Sequence, residues 1–479
     1  VFSKAGSNGD KKVYKIKVKN TSGSSININL GVQIGLDYND LSLPSDGHLF
    51  TEYIVKASDT ITENIGNNGS TYDDGEDTFI TGKNPNNYVW YSGKLWRAVS
   101  INNEAKTTKL VTQWNISAIS YSSGSSSFEK SFMKEWLNDT STDGFLYNLR
   151  DYENFIVTDS KWDATMDSTD LGSIKKPNGT TIVEDAVGLL NMYEYQSSYK
   201  GTTYKNGYLN NGLSWWTLTP GDYMRIVRYD GDDGQSEALF SEGVRPSINL
   251  QSSVKIVSGD GTVDNPYRLA GDNDTDLNGV KLNTRYSGEY IQFGNDENNL
   301  YRIVNHETEG LTKITSNEPL KKSGTFIESE FNDNNRYFSY STIKDFLNDD
   351  YLTDYIEDNY INMIEDKTTW YQGTVYAGKN YKLAKYGNID MSLIKAKVGL
   401  LRYGELMSGQ FNKSSNNKEY WLITEEQYGL WYVEPDGYGY VTSQSPEQGV
   451  KPSMNLKENV IITGGEGTKN NPFIIELLS

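Results

Sequence analysis

The chain has no cysteine. That single absence excludes disulfides, thiolate metal sites and cysteine nucleophiles. Histidine is almost missing as well: His48 and His306 are the only two. Neither has a counterpart in the duplicated half described below, which argues against a Ser-His-Asp triad or a His-rich metal site in each copy. No apolar run approaches the roughly 18–20 residues a membrane helix needs. Cationic residues are the minority, 45 Lys and Arg against 64 Asp and Glu, for a net charge of −19. This balance opposes a nucleic-acid footprint and an anionic membrane surface, so neither nucleic acid nor direct membrane insertion is expected. The chain opens at Val1 without a signal peptide, which reads as a processed or truncated product.

What is abundant is tyrosine (35), glycine (44) and tryptophan (10). Short strands, many turns and aromatic cores fit that composition. The strongest signal is internal self-similarity. Residues 243–269 (GVRPSINLQSSVKIVSGDGTVDNPYRL) and 449–475 (GVKPSMNLKENVIITGGEGTKNNPFII) agree at 13 of 27 positions. Upstream, Leu95-Trp96-Arg97 returns as Leu300-Tyr301-Arg302, and Trp136-Leu137-Asn138-Asp139 as Phe346-Leu347-Asn348-Asp349. Val187-Gly188-Leu189-Leu190 returns as Val398-Gly399-Leu400-Leu401, and Trp215 to Thr219 as Tyr420 to Thr424. Anchors in one order at offsets of 205–211 define two whole domains in tandem.

The expected fold class is α+β in each copy, at residues 76–272 and 273–479. A small β-rich N-terminal module with an acidic connector occupies residues 1–75. Its strands are read from the alternation in Val13 to Lys19 and Ile26 to Leu30, and the connector is Asn64 to Asp77. In the first copy, Asn87 to Val99 predicts a hairpin about Ser92-Gly93, and Lys109 to Trp114 a further strand. Phe128 to Leu137 has helical spacing, opened by a capping box at Ser126 and Glu129; Thr342 and Asp345 open its counterpart. Asp185 to Tyr195 predicts a second helix, matched by Lys397 to Leu406. The GV(R/K)PS(I/M)NL strand closes the core.

Together, Trp96-Arg97, Trp136-Leu137-Asn138, Trp215-Trp216-Thr217-Leu218 and Gly243-Val244-Arg245-Pro246 resemble the DUF6273-type domain of Firmicutes surface proteins. The likeness is fuller in the first copy; the second departs at YWLITEEQ and GVKP. That family is similar to the C-type-lectin-like fold of formylglycine-generating-enzyme relatives and retroelement-diversified proteins. The resemblance implies two tandem C-type-lectin-like domains with ligand contacts between the WW and GVRP motifs. It also implies a bacterial, extracellular protein, attached to the cell surface or secreted.

Between those motifs, Gly221 to Glu242 and Glu425 to Gln448 differ completely. A constant frame around divergent inserts is the pattern of binding loops, although exposed loops also drift without function. The candidate ligand-binding residues are Trp216, Arg225, Arg228, Tyr229, Tyr428, Trp431, Tyr432, Tyr438 and Tyr440, types that carry contact energy at interfaces. Trp215 and Trp216 should point to opposite faces of a strand, leaving one free to stack on a sugar. Asp230-Gly231-Asp232-Asp233-Gly234 and Asp272-Asn273-Asp274-Thr275-Asp276 resemble parts of calcium loops but lack the full pattern. Asp139 and Asp349 match across the copies and are read as helix-end caps or salt-bridge partners. Arg245 and Lys451 are read as contacting carbonyls or carboxylates at a strand start.

The expectation is a non-enzymatic surface protein, without cofactor or metal, that recognises a host or bacterial surface protein or glycan. One alternative is a filament or envelope subunit that pairs with itself through the N-terminal strands. A weaker alternative is an envelope glycan hydrolase with paired carboxylates.

Overall fold

The computed structural model describes residues 56–141, 144–165, 175–271, 277–332, 338–375, 392–407, 418–426, 428–435, 437–443 and 446–478. The strands expected at residues 13–19 and 26–30 and the acidic run at residues 272–276 lie outside the described residues. Both repeats belong to one compact unit, Val55–Ser479, which is mostly strand with a few short helices.

Strands β1 (Gly69–Asp73) and β2 (Asp77–Gly82) form an antiparallel hairpin. This is the stretch expected to be a connector. Asp74 fixes its turn, accepting from the backbone amides of Glu76 at 3.0 Å and Asp77 at 2.9 Å. The hairpin Asn87–Val99 forms as expected, with β3 (Tyr88–Tyr91) and β4 (Lys94–Asn102) joined by Ser92 and Gly93, both at positive φ. A Cβ on Gly93 would lie 2.3 Å from the Ser287 carbonyl, so this turn is pressed against the second repeat.

The chain continues through β5 (Thr108–Thr112), β6 (Ser117–Ser120), β7 (Ser160–Asp163), β8 (Ile182–Asp185) and β9 (Val187–Gly188). Then come β10 (Trp215–Pro220), β11 (Met224–Val227), β12 (Asp233–Ser236), β13 (Ser241–Val244) and β14 (Ser247–Leu250). A closing pair, β15 (Ile256–Ser258) and β16 (Tyr267–Leu269), ends the repeat.

These strands make two main sheets. The larger runs β15-β16-β3-β4-β5-β14-β9, with β2 also on β4; the smaller runs β12-β11-β10-β13-β6. The GVRP motif crosses between them. Gly243 pairs in parallel with Trp215 in the smaller sheet, and Ser247 pairs with Val111 in the larger. Pro246 lacks an amide for either ladder, which suits a crossover.

The second repeat keeps this wiring. Tyr290–Gln292, Leu300–Asn305, Thr312–Ser316, Pro452–Leu456 and Val398–Leu400 form its larger sheet in that order. Gly439–Thr442, Gly429–Val433, Tyr420–Glu426, Gln448–Gly449 and Glu328–Ser329 form the smaller one. The unusual parallel pairing recurs as Tyr420 with Gly449. Among the described residues the second sheet has no partner for β1 and β2; the hairpin belongs to the first repeat.

Two helix expectations need correction. The helix Phe132–Leu137 is capped by Ser131, whose side chain accepts from the Lys134 amide; Ser341 does the same for Thr342–Asn348. Ser126 lies upstream of a separate 3-10 turn at Phe128–Lys130. The expected helix at Asp185–Tyr195 begins only at Met192, because Val187-Gly188 is strand pairing with β14. Its counterpart Val398–Leu400 is likewise strand.

The recurring asparagine after each first helix explains the spacing. Asn138 Nδ2 donates to the Val187 carbonyl and its Oδ1 accepts from the Val187 amide, both at 2.9 Å. Asn348 makes the same pair with Val398 at 3.0 and 3.1 Å. Each asparagine thus ties helix to strand through an amide that would otherwise lack a partner.

Side chains of both first-repeat sheets share one core, which extends into the second repeat through Leu401, Tyr403, Leu406, Tyr420, Leu422, Trp431 and Val433. Trp421, Ile423 and Leu430 face the second repeat's own core instead. Period-two alternation therefore places the second repeat's smaller sheet between two apolar layers. Tyr403 Oη donates to the Ala118 carbonyl at 3.4 Å, and Tyr438 Oη to Glu242 Oε2 at 2.8 Å.

Candidate functional site

A second constellation recurs in both repeats, built on lysine, glutamate and tryptophan. Lys109 on β5 faces an irregularity in β4 between Ala98 and Ser100. Lys313 faces the matching irregularity between Ile303 and Asn305. A bulge re-aims the side chains beside it. Lys109 Nζ pairs with Glu194 Oε1, and Lys313 Nζ with Glu405 Oε1 at 2.5 Å. The ammonium groups lie 5.1 Å from the Trp162 ring centre and 5.0 Å from that of Trp370.

The glutamates are fixed by their backbone surroundings. Asn191 caps its helix reciprocally: its side chain accepts from the Glu194 amide, and its own amide donates to Glu194 Oε2 at 2.8 Å. Arg402 N gives Glu405 Oε2 the same bond at 2.9 Å. Met192 N and Tyr403 N donate to Thr219 Oγ1 and Thr424 Oγ1. The shared TLT and LIT threonines therefore anchor the segment carrying each acid.

In the first repeat this pair lies in a cleft of about 400 Å³. The β1–β2 hairpin supplies Asp74, Glu76 and Asp77 to the lining, while Ser100, Asn102 and Asn191 line it from the scaffold. Asp74 Oδ2 accepts from Tyr193 Oη at 2.9 Å and pairs with Lys176 at 2.8 Å. Burial opposes the Asp74 charge, but the Asp77 amide, Lys176 and the other donors outweigh it and hold the carboxyl at about 2. Burial lifts Asp77 above the usual carboxylate range; Lys109 opposes that rise and Glu194 adds to it. Two carboxylates on one hairpin are thereby pushed in opposite directions.

The second repeat closes the same place. Its strand register makes Asn305 the counterpart of Ser100, so Glu307 corresponds to Asn102. The shared backbone bond to glutamate makes Arg402 the counterpart of Asn191. Asn305 Nδ2 donates to Glu405 Oε1 at 3.2 Å. Arg402 reaches Glu307 at 2.8 Å and Glu405 at 3.4 Å. Three cleft-lining positions, Ser100, Asn102 and Asn191, have all become larger side chains, two of which, Glu307 and Arg402, form an ion pair. Glu405 is 1% exposed at its side chain against 9% for Glu194, as closure requires.

The candidate ligand residues of the divergent inserts lie elsewhere. Trp216 is fully buried, like Trp215, and donates from Nε1 to the Ile119 carbonyl at 2.8 Å. Strand β10 is covered on both faces, so alternation frees neither indole. Arg225 is buried in β11. Trp431 is 4% exposed because the first repeat covers its face of the sheet; its Nε1 donates to the Val375 carbonyl. Those three are corrections. Arg228, Tyr229 and Tyr428 are exposed. Tyr440 is exposed and stacks near both Tyr432 and Tyr438, which are partly buried. These three tyrosines come together; none of the nine candidates lines the cleft.

The other motifs resolve as structure. Arg97 lies 3.7 Å from the Tyr88 ring centre, and Arg302 4.6 Å from that of Tyr290. Arg245 stacks over Trp215 and donates to the Thr112 and Leu209 carbonyls; Lys451 stacks over Tyr420. Asp230 to Asp232 lie in the turn between β11 and β12, with Asp230 accepting from the Asp232 amide, and Asp233 and Gly234 already pair with Val227 and Ile226 in the ladder. Asp139 accepts from Ser141 after the helix.

Lys109, Glu194 and Asp77 escaped the sequence reading, although a signal existed for two of them. Glu194 and Glu405 stand at the same step after their VGLL motifs, and Lys109 and Lys313 in matched strands. Asp77 has no such echo. No family model, curated protein or solved structure matches this chain.

Proposed function

We propose that this chain is a non-enzymatic extracellular recognition protein of a bacterial surface, built on two C-type-lectin-like scaffolds. Its ligand enters the cleft of the first repeat, and the second repeat acts as a closed structural partner. One observation carries this reading: the same Lys-Glu-Trp constellation is open beneath the β1–β2 hairpin and plugged by Arg402 and Glu307 in the other copy. Concave sites with a few converging polar groups are where small ligands bind. Glu194 and Asp74 already hold ion pairs and amide bonds, which favours holding a ligand over shuttling protons.

The test installs the plug where the cleft is. Glycan and peptide arrays are probed with the chain and with Asn102→Glu/Asn191→Arg. Binding should disappear while the circular dichroism spectrum and a single cooperative transition are kept, the midpoint falling only by the roughly 0.5–2 kcal/mol that loss of the Asn191 cap costs. Retained binding by the plugged variant, or loss only on replacing Tyr229 and Tyr428 with Ala, would refute the assignment. A second reading, hydrolysis of envelope glycans, draws on the opposed shifts of Asp74 and Asp77. It requires turnover on a glycan panel that Asp77→Asn abolishes.

A further inference from the structure

The internal copy indicates more than where the ligand goes. In the second repeat the counterpart of the cleft is occupied by the protein's own guanidinium. Arg402 rises from the position of Asn191 and reaches across to Glu307, at the position of Asn102, while also contacting Glu405, the counterpart of Glu194. The glutamate on this scaffold thus already accepts a planar cation in addition to its lysine. A guanidinium is suited to such a place, since its N–H groups can engage two carboxylates at once.

The first-repeat cleft has the complementary character. Six carboxylates line it against three ammonium groups. Asp77 stands on its wall, half-buried. One Asp77 oxygen accepts from Asn102 at 3.2 Å; among the described residues the other has no hydrogen-bond partner. The lining offers little ring face to a stacked sugar: Trp162 and Phe79 are each only 1% exposed, and the third ring, Tyr193, is partly buried against Phe79 with its hydroxyl given to Asp74. Building on the reading of the cleft as the ligand site, we propose that it receives a guanidinium or ammonium group in the place Arg402 takes in the second repeat. The cation meets Asp77 and Glu194, and the β1–β2 hairpin, present only around this copy among the described residues, encloses it.

The cation can come from a small free guanidinium or ammonium compound or from an arginine side chain, and calorimetry separates them. The full chain is titrated with agmatine, with a short peptide carrying one central arginine, and with a neutral oligosaccharide, at low and high salt. Saturable one-to-one binding is expected for agmatine, the peptide or both. Raising the salt should weaken it, as for partly exposed charge pairs. Asp77→Asn should weaken it at least tenfold, and Asn102→Glu/Asn191→Arg should remove it. Agmatine alone titrating assigns a small free guanidinium or ammonium compound; the peptide alone titrating assigns an arginine side chain. Cation binding that survives both variants, or no cation binding at all, overturns the proposal. Oligosaccharide binding lost in the plugged variant would discard the cation while keeping the cleft as the ligand site. Because Asp77→Asn is near-isosteric and keeps an acceptor for Asn102, it remains readable if the plugged variant folds poorly.

Discussion

Single buried cations make the sharpest demands on this fold. Lys94 is fully buried between the repeats, its Nζ donating to the Ser92 and Ser287 carbonyls. Burial pushes its ammonium down to about 7, and nearby Arg302 adds to the shift while Glu289 opposes it. Lys451 is driven to about 7 by burial and the same Arg302. Both folded values lie below the unfolded value of about 10.4. Between the two, the folded chain holds fewer protons than the unfolded one, so stability rises with pH across that window and falls as pH drops toward 7. Thermal midpoints should therefore climb from pH 7 to pH 9, and Lys94→Met should flatten the climb; an unchanged slope contradicts the burial. Glu405 works in the opposite sense. Burial opposes its charge, but Arg402 and Lys313 outweigh it and hold the carboxyl at about 2. Its contribution is complete above about 4.5 and is lost as pH falls through 2. In Glu405→Gln the acid branch of the stability curve should be shallower. Gly188 and Gly399 answer a different constraint. A Cβ there would lie 2.3 Å from the Trp162 ring and 2.5 Å from the Trp370 ring. Either Gly→Ala change should cost about 1–3 kcal/mol by overpacking, measured by urea unfolding.

At the level of elements, the motifs legible in sequence turn out to be joints. Asn138 and Asn348 each clamp a two-way amide pair onto the following strand. Asn138→Ala should cost about 1–3 kcal/mol, since a buried amide loses its partner; a midpoint shift of under a degree would show that the clamp carries nothing. The hairpin, the repeat order and the closing strand were readable because turn chemistry and alternation are local. VGLL was misread as helix because its four apolar residues have no period, and the ladder to β14 that makes Val187-Gly188 strand comes from sixty residues away. The stretch Asn64–Asp77 looked like a connector because its glycines and acids are turn formers; the pairing of β2 with β4 is a tertiary event. The cleft was hidden for the same reason. Asp77, Lys109 and Glu194 come from three separated segments. The insert tyrosines drew attention because they are aromatic and divergent, yet Trp431 is committed to covering the first repeat.

Across the whole molecule, the duplication has produced two unequal halves fastened together. The second repeat's smaller sheet is shared between two cores, so the halves should not melt apart. Scanning calorimetry should give one cooperative transition for the unit spanning both repeats, and two separable transitions would break that account. Trp431→Ala should lower the midpoint of that transition, at a cost of about 3–5 kcal/mol, instead of acting only on ligand binding. The asymmetry of the halves is what the functional reading depends on: one scaffold site is left open, and its twin is filled by the chain itself. The most direct measurement is a crystal structure of Asn305→Ser/Glu307→Asn/Arg402→Asn beside that of the parent chain. A solvent-filled hollow above an intact Lys313–Glu405 pair, matching the one above Lys109–Glu194, is the predicted result. A parent in which Arg402 points to solvent and leaves Glu405 uncovered, or a variant whose Lys313–Glu405 pair falls apart, would contradict it.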